Sequence, residues 1–134
     1  MPALAPLVFN DGQATPVAQT FSPVSNKNDV AKYINRHSNG EPHLDQVLTI
    51  SQKLQGNGAY RTTLKFVLPV THAAVGEPTF TSPEFAHEEA IIELTVRTPQ
   101  TSTGGTRADA LAYISNILGL ADVQAVFEDL ESMY

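Results

Sequence analysis

The stretch DQVLTISQKLQGNGAYRTTLKFVLPV, residues 45–70, decides the fold. In its first half, residues 45–55, Leu48, Ile50 and Leu54 alternate with Val47, Thr49, Ser51 and Lys53. In its second half, residues 60–70, Leu64, Phe66 and Leu68 alternate with Arg61, Thr63 and Lys65. Successive side chains of an extended chain point to opposite faces, so a period of two marks a half-buried antiparallel strand. Gly56-Asn57-Gly58 between the halves is a tight turn, and the two segments form a hairpin.

Upstream, residues 1–26 are rich in Pro, Thr, Ser and Ala. Leu7-Val8-Phe9, Asn10-Asp11-Gly12 and an extended piece at 15–21 read as an N-terminal hairpin, with Asp11-Gly12 as its turn because Gly accepts a positive φ. Pro16 and Pro23 predict an edge role for the second piece. Residues 30–34 (VAKYI) read as a short strand, and His37–Pro42 (HSNGEP) as a loop.

Downstream, residues 71–86 form a long loop with Gly76, Pro78, Ser82 and Pro83, and loops of that length are often functional. Residues 87–98 alternate again: Ala90, Ile92, Leu94 and Val96 oppose Glu89, Ile91, Glu93, Thr95 and Arg97, and Pro99 stops the strand. Residues 101–105 (TSTGG) read as a linker. From Thr106 the period becomes helical, with Leu111, Ile114 and Leu118 on one stripe, Thr106 and Asp109 as a capping box, and Gly119 at the C-terminal stop. Val123, Val126, Phe127, Leu130 and Met133 make the stripe of a second helix, whose dipole suits Asp122 near its start. Such helices are too short to be stable alone in water, so their stripes must lie on the apolar side of a sheet. Strands first and helices last is the α+β arrangement. The pattern leaves open whether the helices cover their own sheet or a partner's.

Composition narrows the function. At 134 residues the chain is expected to be one domain (1–134), with a hairpin at 1–26, a sheet at 27–99 and helices at 106–134. It has no cysteine, which excludes disulfides, thiolate metal sites and a thiol nucleophile. His37 and His43 are six apart across a loop and lack metal-ligand spacing. Glu89 and Glu93 sit about 13 Å apart along a strand, too wide for a glycosidase pair. No phosphate-binding glycine loop or nucleophile elbow is present, so an enzyme is not expected, nor a cofactor or a metal. No apolar run predicts a membrane span, and residues 1–12 lack the basic start of a signal peptide, which predicts a cytoplasmic site of synthesis.

The net charge of −6 argues against bulk binding to nucleic acid, but the charge is unevenly spread. Residues 106–134 hold one basic residue, Arg107, against Asp109, Asp122, Glu128, Asp129 and Glu131. Thr49, Ser51, Lys53, Arg61, Thr63 and Lys65 share the polar side of the hairpin. Hydroxyls and cations suit phosphates and base edges, and they equally suit a solvated sheet face.

The order and spacing of these parts resemble the coat proteins of the small single-stranded RNA bacteriophages. The stretches that carry the resemblance are VAKYINRHSNG, LTISQKLQGNGAYRTTLKFVLPV and IIELTV, followed by two helices and a terminal Tyr134. The resemblance covers essentially the whole chain. It implies an N-terminal hairpin, a five-stranded antiparallel sheet and two C-terminal helices that cross onto the partner's sheet in an intertwined homodimer. It further implies an icosahedral shell of dimers, a polar sheet face turned towards the viral RNA, and an RNA hairpin whose binding represses translation. The RNA contacts it carries over are Thr49, Ser51, Lys53, Arg61, Thr63, Lys65 and Glu93. The stripe positions Leu111, Ile114, Leu118, Val123, Val126, Phe127 and Leu130 are then expected at the dimer and helix packing. It implies a virion capsid assembled in the host cytoplasm, with RNA and further copies of the chain as partners and no membrane or small-molecule substrate. Two positions depart from the family pattern: Glu89 stands where some members have a base-stacking Tyr, and Ile91 where they have an Asn. The loop cysteines of some members are also missing. The competing reading is a non-viral β-sheet module that binds RNA or another ligand; an enzyme ranks third.

Overall fold

The computed structural model describes residues 4–38, 40–72, 76–77, 80–81, 85–130 and 132. Met133 and Tyr134 lie outside them, as do parts of the segment 71–86. The chain divides into two compact units, Met1–Arg97 and Thr98–Tyr134.

The first unit is a sheet of six strands: β1 Leu7–Asn10, β2 Ala18–Lys27, β3 Val30–Asn35, β4 Gln46–Leu54, β5 Ala59–His72 and β8 Phe85–Pro99. They lie in the order β1-β2-β3-β4-β5-β8, so β1 and β8 are the edges. The expected five-stranded sheet is corrected to one of six strands, in which the N-terminal hairpin strands β1 and β2 continue the four strands β3, β4, β5 and β8. Within the expected loop 71–86, a pair of two-residue strands, β6 Gly76–Glu77 and β7 Phe80–Thr81, forms an antiparallel ladder of its own.

Local chemistry explains the turns. Between β4 and β5, Gly58 adopts φ +80°, Gln55 and Ala59 close the loop at 2.8 Å, and the Asn57 side chain accepts from the Ala59 amide at 3.1 Å. Between β2 and β3, Lys27 pairs with Val30, and Asn28 and Asp29 both take positive φ (54° and 60°). That is a two-residue turn of the mirror-image type, whose twist matches paired strands. The β1–β2 turn is built differently from the expectation. Asn10 pairs with Ala18 across a longer loop, and Gly12 is not among the residues with positive φ. The Asp11 carboxylate organises it instead, accepting from the Val17 amide at 2.9 Å and the Gln19 side chain at 3.0 Å. These hydrogen bonds, the one from Val17 foremost, hold the Asp11 carboxyl below the ordinary aspartate range.

β2 is an interior strand, not the expected edge. It tolerates Pro23 because the β2–β3 register shifts between Pro23 and Ser25, and a bulge is where a sheet can spare an amide. In the β3–β4 connection Asp45 is buried, accepts from the His37 amide at 2.8 Å and has Arg36 at 3.6 Å.

The core gathers on one side of this sheet. Phe21, Tyr33 and Leu48 are buried, with Leu7, Ala31, Ile50, Leu64 and Phe66 packed against them. Register sets this up: Tyr33 faces Leu48, Leu48 faces Phe66, and Ile50 faces Leu64. Phe9 stacks on Phe21 at 4.8 Å, and both meet Phe66 edge-on at 5.8 and 5.7 Å. These are the favoured geometries for aromatic pairs. A ladder of side-chain amides borders the cluster: Asn35 donates to Gln19 at 2.9 Å and to Gln46 at 3.2 Å.

The second unit holds α1 Gly104–Ile117 and α2 Ala121–Glu128. The expected Thr106–Asp109 cap is corrected. Thr103 is the N-cap, its hydroxyl accepting from the Thr106 amide at 3.2 Å, so Gly104 and Gly105 belong to the first turn and not to a linker. α2 ends at Glu128, and Leu130, with φ +57°, lies beyond the helix rather than on its stripe. Asp122 sits in its first turn, as expected.

Candidate nucleic-acid interface

The hairpin register places the polar side chains face to face. Thr49 is opposite Lys65, Ser51 opposite Thr63, and Lys53 opposite Arg61. The side opposite to Leu48, Ile50, Leu64 and Phe66 is thus a continuous field of three hydroxyls, two ammonium groups and a guanidinium.

The neighbouring strands extend it. On β3, Lys32 faces Thr49 and Val30 faces Ser51. On β2, Ser25 faces Lys32 and Lys27 faces Val30. On β8, Glu93 meets Lys65 with Oε1 to Nζ at 3.0 Å, and the Thr95 and Thr63 hydroxyls lie 3.5 Å apart. All seven residues expected at the site, Glu93 included, therefore come to one face. Ser25, Lys27 and Lys32 are additions the sequence did not single out. Lys32 is placed by the β3–β4 register, and Ser25 and Lys27 by the β2–β3 register, which a bulge conceals from a period-two reading.

The field has a boundary. One step from Thr49 towards the start of β4, Ile34, Val47 and Val67 form an apolar row across β3, β4 and β5. Ile91 on β8 is 55% exposed. The Lys65–Glu93 pair is half open to solvent, with side chains 40% and 58% exposed, so it contributes little to stability. Its effect is to cancel part of the Lys65 charge.

The helix positions expected at a dimer contact are largely uncovered within the chain. Leu111, Leu118, Phe127 and Leu130 are exposed, while Ile114, Val123 and Val126 are half-buried. The edge strand β8 also leaves Ile92 exposed on its apolar side.

An antiparallel sheet with an apolar and a cationic-hydroxyl side, followed by helices with bare apolar side chains, makes this an α+β protein. The levivirus coat protein family model matches residues 2–134, and the chain belongs to that family. The family is one of capsid proteins, whose role in the virion is structural. The capsid protein of Pseudomonas phage PRR1 is 37% identical over 67 residues; the match spans half of this chain and half of that curated relative. The virus-like particle of bacteriophage NT-214 superposes with a TM-score of 0.83 at 22% identity, covering 99% of this chain and 100% of that one. An unassembled bacteriophage coat protein described as an RNA-binding dimer superposes with a TM-score of 0.59 at 20% identity, covering 98% of each chain. At these identities the two structures speak for the fold.

Proposed function

We propose that two copies of this chain pair into a homodimer, that dimers close into an icosahedral shell, and that the shell holds single-stranded viral RNA against the cationic-hydroxyl face. The observation that carries the RNA part is the register of β4 and β5, which sets Thr49 against Lys65, Ser51 against Thr63 and Lys53 against Arg61 on the side away from the core. Local neutralisation of phosphates by such a face releases counterions and drives binding even though the whole chain is negative.

Two features support the dimer. β8 is a fifteen-residue edge strand whose free backbone groups can pair with a second copy. The helices carry exposed Leu111, Leu118 and Phe127, apolar surface that an exchanged arrangement lays on the partner's sheet. The relatives named above as a virus-like particle and an RNA-binding dimer point the same way.

Recognition of an operator hairpin, and through it repression of translation, rests in this reading on the Thr and Ser rows and the cations around them. Glu89 cannot stack on an unpaired base as an aromatic ring does, and its charge repels phosphate.

The test has two arms. The full chain expressed alone is examined by electron microscopy, and uniform closed spheres are the expected outcome; monomers or dimers that never close would overturn the shell. Lys53→Ala with Lys65→Ala should weaken RNA binding, flatten its salt dependence and leave dimers intact. Unchanged affinity would remove RNA from this face.

A further inference from the structure

The cations of the polar face are not equally matched by carboxylates. Lys65 has Glu93 at 3.0 Å. Lys53 and Arg61 lie directly opposite each other on β4 and β5, and no ion pair involves either among the described residues. The contacts Lys65–Glu93 and Thr63–Thr95 fix the antiparallel register between β5 and β8. One further step of two residues brings Arg97 opposite Arg61. Lys53, Arg61 and Arg97 then form a row on three adjacent strands, about 4.8 Å from one strand to the next, and all three are exposed.

Like charges directly opposite one another destabilise a sheet. A single such pair is a small cost; three cations abreast, with no acid of the described chain among them, concentrate positive potential that an external anion would relieve. The row lies at the turn end of the hairpin, beyond the hydroxyls of Ser51, Thr63 and Thr95. Consecutive charges at short spacing are what a polyphosphate strand offers, and guanidinium groups bind phosphate oxygens in pairs.

We propose that Lys53, Arg61 and Arg97 form a phosphate cleat that grips the backbone of single-stranded RNA, with Arg97 a binding residue in its own right. The inference rests on the reading of this face as the RNA side and assigns its parts. The cleat supplies the sequence-independent, salt-sensitive grip, and the neighbouring hydroxyl rows meet base edges and sugars. Lys65, shared with Glu93, contributes less to that grip than Arg97 does.

The experiment titrates full-length protein with a mixed-sequence single-stranded RNA oligonucleotide between about 50 and 200 mM salt, comparing wild type, Arg97→Gln and Arg97→Lys. Loss of one phosphate contact should lower the slope of log affinity against log salt by about 0.7 for Arg97→Gln, with weaker binding of every RNA sequence tried. Arg97→Lys should keep the wild-type slope. Melting of the RNA-free protein at low salt should be unchanged or higher for Arg97→Gln, because a like charge has been removed. A wild-type slope for Arg97→Gln, while Lys53→Ala with Lys65→Ala binds weakly, overturns the cleat and leaves the RNA face standing. Unchanged binding in both variants overturns the two together. A lower melting point or failure to fold for Arg97→Gln would mean that Arg97 serves a structural pair, and that also overturns the cleat.

Discussion

Truncating Phe127 asks whether the helices are packed by a second copy. Within one chain the Phe127 side is 68% exposed, so about a third of its surface is removed from water. Full burial of a Phe is worth roughly 1.5–3 kcal/mol, so a chain that folds alone would lose under about 1 kcal/mol on Phe127→Ala. If the ring is instead covered by a partner's sheet, the same change opens a cavity and costs about 3–5 kcal/mol. The two outcomes differ by at least about 2 kcal/mol, roughly thirtyfold or more in equilibrium constant. Urea unfolding at several protein concentrations reads the difference, because a cost borne by the dimer appears in a concentration-dependent midpoint. The expected result is the large cost, a midpoint that rises with concentration, and loss of closed particles. A cost below about 1 kcal/mol with normal particles would refute the exchanged packing.

Two further outcomes follow from the turns. Asp11→Ala should destabilise the protein at neutral pH; because the folded carboxyl titrates below the ordinary aspartate range, that stabilisation is complete above about pH 5 and is lost as pH falls through the folded value. Wild-type and variant stabilities measured against pH should converge in acid, and a gap that widened there would contradict the hydrogen-bond account. Gly58→Ala, at φ +80°, should cost about 1–2 kcal/mol in thermal or urea unfolding, since an L side chain is strained in that conformation; an unchanged midpoint would mean the turn can relax.

The sequence disclosed most about the elements where one physical signal acted alone. In residues 45–70 the period of two was uninterrupted, and the faces it predicted match the observed register at every polar site position from Thr49 to Lys65. It disclosed least where a second effect broke the period. The bulge at Pro23 shifts parity within β2, which concealed both the strand's interior position and the alignment of Ser25 and Lys27 with Lys32. Asn28 and Asp29 form a turn without any glycine, so the usual punctuation was missing. At Asp11-Gly12 the dipeptide signalled a turn correctly, but a carboxylate hydrogen-bond hub shapes it rather than glycine's freedom. Thr103 and Thr106 both offered a hydroxyl for the helix cap, and two glycines disguised the first turn as linker. Arg97 was legible as a polar-face residue, but its place beside Arg61 needs the Lys65–Glu93 and Thr63–Thr95 contacts, which link segments thirty residues apart.

The distribution of charge along β8 gives the face a direction. Glu89, Glu93 and Arg97 point to the same side, and Glu89 and Arg97 are eight residues apart, about 26 Å along an extended strand. Between them Glu93 is compensated by Lys65, so the net potential passes from negative at Glu89 to positive at Arg97. A polyanion laid on the sheet is therefore repelled from one end of its edge strand and attracted to the other, whatever its sequence. The Glu89 charge thus acts at a distance as well as where it stands. On the proposed RNA face, this gradient favours the end of the sheet that carries Lys53, Arg61 and Arg97, next to the hydroxyls of Ser51, Thr63 and Thr95.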